Sequence, residues 1–149
     1  MAASITPIFV RAPDVQLGGA VLGPNANTAQ DGTGANITSI FQADATEGGF
    51  VDEIRLKPVL SPAGTVIRVF ICSVTGAFTP GTSNTAANTV MIAEISASAV
   101  TTSNTVAQND LSIPIRKPLP AGGRLLMTFG TSTGASGTGY AVSTFGGKY

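Results

Sequence analysis

Glycine and proline punctuate this chain so closely that helical periodicity is hard to find. There are 18 Gly and 9 Pro in 149 residues, and most segments between them run only 5–10 residues. That is the length and spacing of short strands joined by turns. Many such strands, evenly spaced, point to an all-β sandwich or barrel. A chain of this size is one domain, and it can bury roughly 68–70% of its unfolded surface without staples.

The clearest strand spans residues 50–59. There Phe50, Ile54 and Leu56 fall on one face, and Glu53, Arg55 and Lys57 on the other. This is the period-2 pattern of a half-buried strand. Asp52 interrupts the apolar face, where it would cap a turn or pair locally. After the turn at Ser61-Pro62-Ala63-Gly64, residues 66–74 set Ile67, Val69 and Ile71 against Arg68 and Phe70. If the two strands form a hairpin, Arg68 joins Arg55 and Lys57 on the outer face. A jelly roll would instead separate them. Further strands are expected at 37–43, 90–96, 110–115, 124–129 and 139–145, with Tyr140, Val142 and Thr144 sharing a face in the last. Pro114 places its segment at a sheet edge or a bulge.

Three loops of small polar residues, 23–36, 75–88 and 97–108, are long enough to suggest a role at one end of the sandwich. Residues 1–24 differ from the main domain at 25–149. They hold two short apolar stretches split by Arg11-Ala12-Pro13-Asp14. An extended arm that docks on a neighbour and a first strand of the same sandwich are both compatible with that pattern.

Charge narrows the partners. Only 11% of residues are charged, against a typical ~25%. The polar surface rests instead on 12 Ser, 19 Thr and the amides. Weak charge removes repulsion between copies and permits dense subunit packing, although a merely low-charge β domain would look the same. A net charge of zero argues against nucleic acid as a partner. No apolar run approaches the ~20 residues of a membrane-spanning helix, and the N-terminus lacks the pattern of a secretory signal. The single Cys72 lies in the apolar run Val69-Phe70-Ile71-Cys72, where a buried, inert thiol is expected.

The residues that do chemistry are mostly missing. Without any His, the Ser-His-Asp and Cys-His arrangements and the usual zinc sites cannot form. No phosphate-cradling motif occurs. Asp52 and Glu53 are adjacent, so on a strand they would point to opposite faces. Asp31-Gly32-Thr33-Gly34 resembles part of a calcium loop, but the remaining acidic ligands are absent and a turn is the expected structure. An enzyme is not expected, nor a cofactor.

One resemblance runs the length of the main domain. The motifs appear in the order Asn27-Thr28-Ala29-x-Asp31-Gly32-Thr33-Gly34, Ile40-Phe41-x-Ala43 and Gly49-Phe50-Val51-Asp52-x-Ile54-Arg55-x-Lys57-Pro58. Arg68-Val69-Phe70-Ile71, Pro118-Leu119-Pro120-Ala121-Gly122 and Gly146-Gly147-Lys148-Tyr149 follow. This order resembles the capsid decoration, or cement, proteins of tailed bacteriophages. The resemblance implies a jelly-roll-like antiparallel sandwich of about eight strands with an N-terminal arm. It also implies a virion protein on the head exterior, made in the host cytoplasm, whose partners are the major capsid protein and further copies of itself, with a trimer favoured. It supplies no catalytic residues. The residues expected to contact the capsid are Ile5, Phe9, Arg11, Arg55, Lys57 and Arg68.

Two other functions fit less of the sequence. A tail or head-fibre component with a carbohydrate-binding module would want exposed aromatics, and the chain offers no Trp and only Tyr140 and Tyr149. A carboxylate-dependent hydrolase would have to use scattered acids such as Asp52 and Glu94.

Overall fold

Residues 12–17, 23, 25–108 and 110–149 are described by the computed structural model. Eight strands lie among them. They are β1 (Ala12–Leu17), β2 (Thr38–Gln42), β3 (Gly49–Val59), β4 (Thr65–Cys72), β5 (Thr89–Ala97), β6 (Leu111–Leu119), β7 (Arg124–Phe129) and β8 (Gly139–Lys148). No helix among the described residues is long and apolar enough to cross a membrane.

The pairing has a simple logic. β1 pairs with β8, β2 with β7, β3 with β6 and β4 with β5, all antiparallel. The chain is thus one long hairpin with its tip between β4 and β5. Rolling that hairpin brings β8 onto β3 and β7 onto β4. Two four-stranded sheets result, β1-β8-β3-β6 and β2-β7-β4-β5. This is a jelly-roll sandwich, as expected. The hairpin between β3 and β4 does not form, because the two strands lie in different sheets. Residues 12–17 form an edge strand of the first sheet, while residues 1–11 lie outside the described residues.

Alternation along β3 is reset once. A bulge at Asp52 shifts the register between Val51 and Glu53 against both neighbours. Val51, not Phe50, therefore joins Ile54 and Leu56 inside, all three at 0% exposure. The partner strand β6 sits at the sheet edge and carries Pro114 beside this irregularity, so both expectations for that proline hold. Arg116 on β6 adopts φ 48°, in the left-handed region.

The main core fills the space between the sheets. Val51, Ile54, Leu56 and Val142 from the first sheet pack with Phe41, Ile67, Val69, Leu125 and Met127 from the second. Tyr140 lies flat against Phe129, with ring centroids 5.8 Å apart. Thr144 faces the same interior at 0% exposure, and its hydroxyl has no hydrogen-bond partner among the described residues. Thr144→Val keeps the shape and removes that desolvated group. It should raise stability by about 1 kcal/mol, measurable as a higher urea midpoint; a lowered midpoint would mean the hydroxyl is satisfied.

The two central strands of the second sheet, β7 and β4, are buried on both faces. Phe70, Cys72 and Leu126 point away from the sandwich, yet all three are 0% exposed. With Ile37 they form a separate cluster, against which Val74, Phe78 and Met91 pack. Loops 25–36 and 75–88 knit together here. Asn84, 2% exposed, donates to the carbonyls of Gly32 (2.7 Å) and Gly34 (3.0 Å). These loops serve packing rather than forming one free end of the sandwich.

One lateral opening is closed by a side chain. Gln16 of β1 donates to the Gln42 carbonyl at 2.9 Å and accepts from the Gln42 amide at 2.8 Å. The side-chain amide thus imitates a strand rung on β2, joining two sheet edges that would otherwise carry unpaired groups.

Candidate interaction surface

The first sheet has an open outer face, whereas the central strands of the second are covered. Its strand register fixes which side chains share it. Leu17, Ser143, Arg55 and Ser112 align across all four strands in one row, and Val15, Phe145, Glu53 and Pro114 in the next. Leu17 is 75% exposed and Val15 is 52% exposed. Val15 lies directly across from Phe145 and Leu17 diagonally from it, so three apolar side chains share this part of the surface. A cluster of that kind is more informative than scattered exposed apolar residues.

Polar groups around it are held in place. The Arg55 guanidinium lies over the Phe145 ring at 5.5 Å, and its Nε donates to Glu53 Oε1 at 2.8 Å. The Ser112 hydroxyl donates to the other Glu53 oxygen at 2.9 Å. That bond, helped by Arg55, holds the Glu53 carboxyl below its ordinary range. Lys57 Nζ lies 3.3 Å from Asp110 Oδ1. Arg55, Lys57, Asp110, Phe145 and their neighbours enclose a groove of about 320 Å³. Such exposed ion pairs add little to stability. They do fix Arg55 against an aromatic ring, a pairing common at protein interfaces.

The six residues expected to contact a capsid are distributed unevenly. Arg55 and Lys57 share this face. Ile5, Phe9 and Arg11 lie outside the described residues. Arg68 is a correction. It belongs to the second sheet, its side chain is only 10% exposed, and it is engaged by Glu94 (2.7 Å) and the Asn27 carbonyl (3.2 Å). Because β3 and β4 sit in opposite sheets, Arg68 cannot extend the Arg55–Lys57 surface. Val15, Leu17 and Phe145 are the residues that sequence reasoning missed.

Asp31 Oδ1 accepts from the Thr33 amide (3.0 Å) and hydroxyl (2.6 Å), with Gly32 at φ 80°, so this segment is a turn. Those bonds lower the Asp31 pKa. No group of three or more metal-ligating side chains exists among the described residues. Asp52 and Glu94 occupy different sheets and are not brought together. Cys72 is free and buried. Tyr140 is fully buried, so it offers no exposed platform for a sugar.

No protein-family model matches the chain, and no curated protein matches it. Among solved structures, a chain from the crystal structure of the T13 IBDV viral particle aligns with a TM-score of 0.32 and 15% identity. The alignment covers 98% of this chain but 34% of that one, so the present chain spans about a third of its length. At so low a TM-score, the jelly-roll assignment rests on the strand order itself.

Proposed function

We propose that this chain is a structural virion protein that decorates and stabilises the capsid of a tailed bacteriophage by binding major capsid subunits on the outer surface. The observation that carries the proposal is the open face of the first sheet, where Val15, Leu17 and Phe145 adjoin Arg55 and Lys57. Apolar side chains flanked by fixed, paired charges suit a partner with an apolar patch and a polar rim that can exchange ion-pair partners with Arg55 and Lys57. The motif order in the sequence points the same way, and 11% charge disfavours repulsion between neighbouring copies. Assembly as a trimer would repeat this face and gain from multivalent attachment to a symmetric shell. Nothing in the proposal requires a catalytic step.

The test is reconstitution. Purified protein added to heads that lack it should co-sediment and, by cryo-electron microscopy, add density to the head exterior at lattice spacing. The double variant Arg55→Glu, Lys57→Glu should weaken attachment by about tenfold or more, equivalent to about 1.4 kcal/mol, while leaving the circular dichroism spectrum unchanged. Density confined to the tail, or attachment indifferent to both substitutions, would overturn this assignment.

A further inference from the structure

The loop from β5 to β6 bridges the edge strands of the two sheets. Val100 within it donates its amide to the Pro62 carbonyl at 3.0 Å. Beneath this loop is a cleft of about 350 Å³, lined by Pro58, Val100, Val106 and Leu111 and reaching Tyr140. Ser96, Ser98 and Gln108 add polar groups, and no charged side chain among the described residues lines it. Mostly apolar walls with a few polar groups are the ordinary character of small-molecule sites of this size.

Tyr140 supplies the polar anchor. Its ring is stacked on Phe129, and its hydroxyl is buried with no hydrogen-bond partner among the described residues. Buried phenols normally find a partner. Burial also pushes the Tyr140 pKa up, so the group stays protonated and can donate at neutral pH. A charged ligand would lose hydration here without a counter-ion.

We propose that the cleft under the β5–β6 loop binds a small neutral molecule with an apolar body and one acceptor oxygen, a ketone, ester or ether, which takes the hydrogen bond of Tyr140. This site is separate from the outer face of the first sheet and does not depend on the decoration assignment. Its plainer competitor is a single ordered water on the Tyr140 hydroxyl.

Cyclohexanone is a suitable probe, titrated into the full-length protein with amide chemical shifts as the readout. Saturable shifts are expected at Ser96, Val106, Leu111 and Tyr140. Cyclohexanecarboxylate and cyclohexylammonium should bind at least about tenfold more weakly. Tyr140→Phe should weaken cyclohexanone binding by about tenfold without lowering the thermal midpoint. Ser96 is exposed on β5, so Ser96→Phe should fold and abolish the shifts by filling the cleft. The proposal is overturned by an absence of saturable shifts at these amides, by equal affinity in Tyr140→Phe, or by binding that survives Ser96→Phe.

Discussion

A Gly146→Val chain should be less stable than the parent by about 3 kcal/mol or more, at the severe end of overpacking substitutions. Gly146 lies on β8 opposite Val51, beside the Asp52 bulge. A Cβ built there would fall 2.2 Å from the Phe50 carbonyl oxygen and 3.1 Å from Val51 Cα. Both are backbone atoms of a central strand, so neither can swing aside as a flexible side chain would. Valine adds two further methyl groups to the same clash. Urea denaturation should show a lower midpoint at an unchanged slope, the sign of lost stability rather than altered compactness. Gly76→Ala is the control. That glycine has φ 84° and nothing within 4 Å of its virtual Cβ, so only the backbone term of about 1–2 kcal/mol applies. Near-equal losses in the two variants would mean that β8 does not approach the bulge this closely.

The bulge also shows where sequence reasoning stops. Period-2 alternation located β3 correctly, but alternation assumes an unbroken pleat. One extra residue at Asp52 exchanged the roles of Phe50 and Val51, and the interrupting acid was the visible trace of it. Seven strand segments were legible because turns and β-branched residues mark them locally. Sheet membership was not legible, since it depends on how a long hairpin rolls, and a hairpin reading put Arg68 beside Arg55. A usable signal existed nonetheless. β7 is apolar at both parities, through Leu125, Leu126, Met127 and Phe129, and β4 carries Phe70 and Cys72 at the positions alternation assigned outward. Strands apolar on both sides have both faces covered. That pattern anticipates the loops packed over the second sheet, and with them the burial of Arg68.

The ion pair under those loops should respond unequally to loss of its two partners. Glu94→Ala is expected to cost about 2–3 kcal/mol, and Arg68→Met only about 1. The Glu94 side chain is 45% exposed, so once Arg68 is gone its carboxylate can be solvated by water. The Arg68 side chain is 10% exposed, and without Glu94 its charge stays largely desolvated. Methionine also fills most of the space that the arginine stem occupied. Besides the pair with Glu94, Arg68→Met loses the hydrogen bond to the Asn27 carbonyl. Asn27 is itself fixed by its amide to the Phe129 carbonyl (2.7 Å) and by its side chain to the Thr33 carbonyl (2.8 Å), so the loop retains two anchors. A double-mutant cycle on the pair, read by urea denaturation, separates the coupling from the packing loss. If Arg68→Met proves the costlier change, its hold on the loop at Asn27, rather than charge compensation by Glu94, is what stabilises the covered face.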